Sequence, residues 1–177
     1  MQSAIGVKLL DGFAEVAGRY DVVLCDVWGV VHNGVAAWPD AADALMRFRK
    51  GGGRVCLITN APRPSDSVIE QLDRLGVPRD AYDAIATSGD VSRGLIAEQG
   101  GEGIYHLGPE RDAGLFEGTV KTFATAGEAR LVVNTGMFDD ETETPEDYKE
   151  QLEAWAARGV HMVCANPDIV VERGDRL

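Results

Sequence analysis

The sequence has few basic residues and no long apolar run. Seventeen lysines and arginines stand against 29 aspartates and glutamates, which gives a net charge of -12. Such an acidic chain is poorly suited to bind a nucleic-acid backbone or an anionic membrane surface, although a local site can still take a phosphorylated small molecule. No apolar run approaches the roughly 18 residues of a transmembrane helix, and residues 1–20 lack a basic-then-apolar secretion signal. We therefore expect neither nucleic acid nor a membrane among the partners.

Cysteine is also scarce. Cys25, Cys56 and Cys164 each lie in an apolar, strand-like run. An odd number of cysteines in such positions indicates buried, reduced thiols rather than a disulfide framework, and no cysteine or histidine spacing indicates zinc. The sequence therefore predicts a cytoplasmic protein.

Strands and helices alternate along the first half of the chain. Apolar runs predict strands over 22–28, 54–59 and 84–87, and helical spacing predicts helices over 39–50, 65–75 and 90–98. This β-α-β-α-β order predicts an α/β fold with a parallel sheet. Short strands over 103–107, 120–123 and 131–134 and a helix over 144–158 follow, before a last strand over 161–165. We predict that residues 1–89 and 161–177 form the first sheet and that residues 90–160 are an insertion.

Three of these strands end in polar residues. They are Asp26, Thr59-Asn60 and Asn166-Pro167-Asp168. The carboxyl ends of parallel strands meet at one edge of a sheet, where open α/β folds bind ligands. The set suits phosphoryl transfer, in which a carboxylate attacks phosphorus, a divalent cation neutralises charge, and a hydroxyl or amide holds a phosphate oxygen. Asp26 is thus a candidate nucleophile or metal ligand, and the equal alternative is an aspartate that caps the next turn.

Four segments carry a family resemblance: LCDVWGVVHNG, LITNAPRPS, IATSGD and CANPD. In order and spacing they resemble the haloacid dehalogenase superfamily, above all its class IIA branch of NagD-like and 4-nitrophenylphosphatase-like phosphatases, from about residue 20 to the end of the chain. The resemblance implies a Rossmann-like core with an inserted α/β cap, a Mg²⁺ cofactor, and a small phosphate monoester that the cap selects.

The resemblance also implies residue roles. Asp26 matches the nucleophile and magnesium ligand, and Trp28 matches the position whose main-chain carbonyl also binds the metal. Thr59 and Asn60 match the phosphate-binding pair of the second motif. Asn166 and Asp168 match the segment where the chain re-enters the core, and contact with the phosphate and formation of a turn remain equally open for them.

Two departures from the family pattern bear on activity. The usual first motif is Asp-x-Asp-Gly, whose second aspartate is the general acid/base, but Trp28 stands there and an indole cannot transfer that proton. A positioned acid/base contributes about 10²–10⁴-fold. The lysine of the third motif and the acidic pair of the fourth are expected beyond residue 168. The sequence therefore resembles the N-terminal part of a longer protein whose core is incomplete here, and we expect little activity from the 177 residues alone.

Three hypotheses follow. The first is a magnesium-dependent phosphatase that works through an aspartyl-phosphate. The second is a non-catalytic protein that binds a phosphorylated metabolite or a partner on the same fold, and the third is a shortened reading frame without a function. An uncovered apolar sheet edge leaves homo-oligomerisation open. For His32 and Arg63, near the motifs, substrate contact and an ordinary structural role both remain open.

Overall fold

The structure, a computed structural model, describes residues 9–168. The helices are α1 (Ala14–Ala17), α2 (Pro39–Lys50), α3 (Ser65–Arg74), α4 (Ser88–Glu98) and α5 (Lys149–Arg158). The strands are β1 (Val22–Asp26), β2 (Arg54–Thr59), β3 (Ala84–Thr87), β4 (Glu102–Leu107), β5 (Thr122–Phe123), β6 (Leu131–Asn134) and β7 (His161–Cys164). Short 3-10 turns occupy Arg79–Ala81, Glu110–Phe116 and Pro145–Tyr148. The predicted α/β class is confirmed.

The first sheet is parallel, in the order β1-β2-β3. Asp26 lies opposite Ile58, and Thr59 lies opposite Thr87, so the carboxyl ends of all three strands meet at one edge. One face of this sheet is covered by α2 and α3, whose buried residues form a core with alternate residues of β1 and β2. This arrangement follows from the period-2 pattern of the strands and the helical spacing of the apolar residues.

The opposite face of the first sheet is open in the described part of the chain. Val22 and Leu24 of β1 are 54% and 66% exposed, and Ile58 of β2 is 39% exposed. The outer edge of β1 also has no strand partner within residues 9–168. An apolar face of this kind is unusual at the surface of a monomer.

The second sheet is also parallel, in the order β5-β4-β6-β7. Helix α4 packs on one face through Ile96, which joins Ile104 and Val133 in a buried cluster. Helix α5 packs on the other face through Trp155, whose Nε1 donates a hydrogen bond to the carbonyl oxygen of Ala126 at 2.8 Å. The second sheet and its two helices therefore have a core of their own.

The strand over 161–165 does not rejoin the first sheet, so that prediction is wrong. Strand β7 pairs with β6 in the second sheet, with Val132 opposite Met162 and Asn134 opposite Cys164. An apolar run shows that a strand is buried, but a similar pattern fits the edge of either sheet. The predicted core segment 169–177 lies outside the described residues.

Two other expectations concern the environment of the protein. The three cysteines are free thiols, as predicted, but only Cys25 is buried, and the expectation of burial is wrong for Cys164, which is exposed. None of the helices within residues 9–168 has the length and apolar character needed to cross a bilayer.

Candidate active site

A cleft lies between the carboxyl ends of the first sheet, helix α4 and the end of β7. The amide Nδ2 of Asn60, after β2, donates a hydrogen bond to Oδ1 of Asn166, after β7, at 3.5 Å. The cleft has a volume of about 480 Å³. Its lining residues are Asp26, Ile58, Thr59, Asn60, Ala86, Thr87, Ser88, Val91, Ser92, Leu95, Val163 and Cys164. The structure thus brings Asp26, Thr59 and Asn60 together, as the sequence predicted, and Asn166 reaches them from the second sheet.

Asp26 ends β1 with an exposed side chain. Its Oδ1 accepts a hydrogen bond from the main-chain N–H of Val27 at 2.7 Å, which fixes the orientation of the carboxylate. The neighbouring thiol of Cys25 is buried, and burial, followed by the negative charge of Asp26, raises its pKa. That thiol therefore stays protonated at neutral pH.

The loop that begins at Thr59, the last residue of β2, and continues with Asn60 rests on the start of α4. The side-chain oxygen of Thr59 accepts from the N–H of Ala61 at 3.2 Å. Gly89, in the first turn of α4, donates its N–H to the carbonyl oxygen of Ala61 at 3.1 Å. A Cβ at Gly89 would lie 2.1 Å from the carbonyl oxygen of Arg63, so only glycine permits this close approach.

Thr87 is a residue of the cleft that sequence reasoning did not single out. Its side-chain oxygen accepts from the N–H of Asp90 at 3.0 Å and caps α4. Asp90 in turn accepts a hydrogen bond from the N–H of Ser65 at 3.2 Å. The sequence did contain the signal that identified the other residues, a polar residue at the end of a predicted strand, because Thr87 ends such a strand inside the IATSGD segment. The cap therefore ties the third strand end to the loop that carries Thr59.

Trp28 turns its side chain onto its own loop rather than into the cleft lining. Its indole lies over Gly34, where a Cβ would be 2.4 Å from Cη2 of the ring. Gly34 also has a φ of +85°, which favours glycine. The ring of His32 meets the indole edge-on at a centroid distance of 5.2 Å. Trp28 and Gly34 are thus fitted to each other.

His32 is held inside this loop. It is 1% exposed, and its Nδ1 accepts a hydrogen bond from the N–H of Gly34 at 2.9 Å, so the neutral ring carries its proton on Nε2. Burial, followed by the positive charge of Arg63, lowers the pKa of His32. Neither His32 nor Arg63 lines the cleft. The structure favours a structural role for His32.

Asn166 both forms a turn and contacts Asn60, which follows β2 of the first sheet. Its Oδ1 accepts the hydrogen bond from Asn60 and another from the N–H of Asp168 at 3.1 Å. Asp168 is exposed and does not line the cleft. The turn is therefore confirmed for Asn166, whereas its contact with a phosphate stays a prediction, since Asn166 is not among the residues that line the cleft.

A second polar cluster lies at the carboxyl edge of the second sheet, and sequence reasoning missed it. Thr135 bonds to Nε2 of His106 at 2.9 Å and to the carboxylate of Asp112. Burial raises the pKa of Asp112, and the Thr135 hydroxyl opposes that change. Burial lowers the pKa of His106. The three side chains thus form one hydrogen-bonded group at the ends of β4 and β6.

The donor set at the cleft fits part of a magnesium site. Asp26 is the one carboxylate that lines it, and no group of three or more metal-binding side chains occurs within residues 9–168. Mg²⁺ commonly binds through one or two carboxylates, several waters and the phosphate of a substrate. Asp26 with main-chain carbonyls at the end of β1 suits such a partial, hydrated site.

Comparison with known proteins agrees with this geometry. A family model described as haloacid dehalogenase-like hydrolase matches residues 23–119. A crystal structure of a hydrolase of the haloacid dehalogenase-like family from Brucella suis 1330 is 48% identical with a TM-score of 0.87, and the match covers 96% of this chain and 65% of that one. Comparison with curated proteins gave no match.

More distant structures are similar in fold. The 4-nitrophenylphosphatase from Thermotoga maritima is 21% identical with a TM-score of 0.63, over 90% of this chain and 62% of that one. A glycerol phosphate phosphatase from Mycobacterium tuberculosis, solved in complex with magnesium, is 26% identical with a TM-score of 0.59, over 86% of this chain and 46% of that one. This chain therefore spans less than two thirds of the length of these proteins.

Proposed function

Because this chain belongs to the haloacid dehalogenase-like hydrolases, we propose that it acts on a small phosphate monoester in the cytoplasm, by magnesium-dependent transfer of the phosphoryl group to Asp26. One observation carries the proposal. The exposed carboxylate of Asp26 lies beside Thr59 and Asn60 in a single cleft at the carboxyl ends of parallel strands. Phosphatases among the similar structures support the substrate class.

Asp26, Thr59 and Asn60 have separate roles in the proposed reaction. An oxygen of the Asp26 carboxylate attacks phosphorus and forms an aspartyl-phosphate. The hydroxyl of Thr59 already accepts a hydrogen bond from Ala61, so its own proton is available to a phosphoryl oxygen. The amide of Asn60, oriented by Asn166, donates to another phosphoryl oxygen. Asn166 and Asp168 form the turn that supports this amide.

Asp26 and the main-chain carbonyl of Trp28 would hold the metal. Bound there, Mg²⁺ supplies the positive charge that lets a carboxylate approach a phosphate dianion. No lysine lines the cleft in the described part of the chain: Lys50 ends α2, Lys121 precedes β5 and Lys149 begins α5. We therefore propose that the 177-residue chain accepts a phosphoryl group but turns over slowly.

The test is capture of the phosphoryl group by the purified chain. The protein is mixed with acetyl phosphate and Mg²⁺, quenched, and examined by intact mass and peptide mapping. We expect a single added phosphoryl group on Asp26, lost in Asp26→Asn and on removal of Mg²⁺ with a chelator. Asp66→Asn, an exposed aspartate of α3, is the matched control and should label normally. Labelling that survives in Asp26→Asn would contradict the assignment.

Trp28, in place of an acid, favours the second candidate, a protein that binds a phosphorylated metabolite without reacting. Its signature would be saturable binding of inorganic phosphate with Mg²⁺, lost in Thr59→Val, together with no labelling of Asp26 by acetyl phosphate.

A further inference from the structure

Both halves of a phosphatase reaction normally need a proton carrier beside the nucleophile. The leaving oxygen of an alkyl ester requires a proton as the ester bond breaks, and the attacking water must lose one. The residue two positions after Asp26 is Trp28, whose indole N–H does not ionise in this range. Its ring packs on Gly34, not on the cleft lining.

No other side chain that lines the cleft replaces that carrier in the described structure. The only carboxylate there is Asp26 itself, which is the nucleophile. The Cys164 thiol donates to the carbonyl oxygen of Asn166 at 3.3 Å, and the Thr59 hydroxyl is assigned to the phosphate. His32 is engaged through Nδ1 and buried, so its ring does not reach the substrate.

Building on the phosphatase chemistry proposed above, we propose that the site is selective for phosphoryl donors with acidic leaving groups, namely acyl and aryl phosphates, and that the phosphoryl group then persists on Asp26. Alkyl phosphates, such as those of sugars and polyols, are poor donors at this site.

The bonds that form and break in each step explain the preference for acidic leaving groups. In the first step a bond forms between an Asp26 oxygen and phosphorus, and the bond from phosphorus to the leaving oxygen breaks with its electron pair. A carboxylate or phenolate departs as a stable anion, since its conjugate acid has a pKa of about 4 or about 10. An alkoxide is far more basic and requires a proton that this site does not deliver.

The second step, hydrolysis of the aspartyl-phosphate, requires a group that accepts a proton. Water attacks phosphorus, the bond between phosphorus and Asp26 breaks, and the electron pair returns to the carboxylate. Among the described residues that line the cleft, no side chain is suited to receive the proton of the attacking water, which goes to bulk solvent. A missing base of this kind slows the step by about 10²–10⁴-fold, so the aspartyl-phosphate accumulates.

The experiment compares donors of graded leaving-group acidity on the 177-residue chain. Acetyl phosphate, 4-nitrophenyl phosphate, phenyl phosphate and glycerol 3-phosphate are each presented with Mg²⁺, and the rate of labelling at Asp26 is measured by quenched intact mass. We expect labelling by the first two, slower labelling by phenyl phosphate, and labelling by glycerol 3-phosphate at least about 10²-fold below that by acetyl phosphate. The label should outlast removal of the donor.

Trp28→Asp places a carboxyl group at the acid/base position, and Trp28→Phe is its matched control. Trp28→Asp should raise labelling by glycerol 3-phosphate by about 10²-fold, change labelling by acetyl phosphate by less than about 10-fold, and shorten the lifetime of the label. Trp28→Phe adds no ionisable group and should show no gain in labelling by glycerol 3-phosphate relative to labelling by acetyl phosphate. A urea unfolding curve on each variant confirms that it is folded.

The outcomes separate the two proposals. Equal labelling by acetyl phosphate and glycerol 3-phosphate in the wild type, or equal gains on both in Trp28→Asp, would overturn the donor preference and leave Asp26 as the nucleophile. Alkyl labelling that disappears in Asp168→Asn would overturn it as well, by identifying Asp168 as the acid. No labelling by any donor would refute the phosphatase function, and this inference with it.

Discussion

Gly89→Ala tests whether the first turn of α4 positions the loop after β2, for which we propose phosphate binding. A Cβ at residue 89 would lie 2.1 Å from the carbonyl oxygen of Arg63 and 2.2 Å from its carbonyl carbon, whereas ordinary contact begins at 3.4 Å. Both atoms belong to the main chain, so no side chain can swing aside. The loop after β2 must therefore move away from α4 by roughly 1 Å or more.

The cost can be worked from the contacts that this shift breaks. Two hydrogen bonds join the elements, from Gly89 N–H to Ala61 and from Ser65 N–H to Asp90. Each contributes about 0.5–1.5 kcal/mol, and overpacking adds about 1–3 kcal/mol. We expect Gly89→Ala to lower the free energy of unfolding by about 2–6 kcal/mol, a large part of the 5–15 kcal/mol of a typical domain.

Urea unfolding followed by circular dichroism measures this change, and α4 offers its own control. Gly94 lies in the same helix, and a Cβ there meets nothing within 4 Å. Gly94→Ala should therefore stabilise the protein by about 0.5–1 kcal/mol, since alanine is the better helix former. Gly89→Ala should also slow labelling of Asp26 by acetyl phosphate by up to about 10²-fold, because Thr59 moves with the loop. An unfolding free energy within about 0.5 kcal/mol of wild type in Gly89→Ala would refute this reasoning.

Two further predictions concern stability and association. The pKa of Asp83 lies far below its ordinary value because its carboxylate accepts hydrogen bonds from Arg49, the N–H of Val55 and Arg54. The contribution of Asp83 to the free energy of unfolding is therefore full above pH about 4 and is lost as the pH falls further. In urea titrations Asp83→Asn should lower the unfolding midpoint at neutral pH, by an amount that shrinks between about pH 4 and pH 2, and a difference independent of pH would contradict the assignment. The open apolar face of β1 should make the 177-residue chain self-associate in light scattering, and Leu24→Thr should reduce that association; a monodisperse wild-type monomer would count against it.

The elements of the first sheet were predictable because two kinds of apolar pattern alternate there. Continuous apolar runs indicated β1 and β2 as strands, and helical spacing in α2 and α3 specified the buried face of each helix. The start of α4 was predicted at Asp90, whereas the helix begins at Ser88. The difference arises because Thr87 is both the last residue of β3 and the N-cap of the helix, so no loop separates the two elements.

The partner of β7 was not predictable, because strand pairing depends on contacts with distant residues. Met162 and Val163 would satisfy either sheet, and only the packing of α4 and α5 on the second sheet settles the choice. Within the site, the polar strand ends gave Asp26, Thr59 and Asn60. The direction of the Trp28 side chain could not be predicted from the sequence, because it depends on the loop conformation that Gly34 permits.

The fit between Trp28 and Gly34 also constrains how this loop can evolve. While the indole occupies the space over residue 34, a side chain there meets both the ring and an unfavourable φ. Once residue 28 becomes small, as in Trp28→Asp, the steric obstacle disappears and only the backbone preference remains, which asparagine tolerates better than most residues. Substitutions at the two positions are therefore epistatic: a change at residue 34 that is harmful in this sequence becomes tolerable only after residue 28 has changed. Sequence variation at residue 34 is therefore expected only together with a smaller residue at position 28.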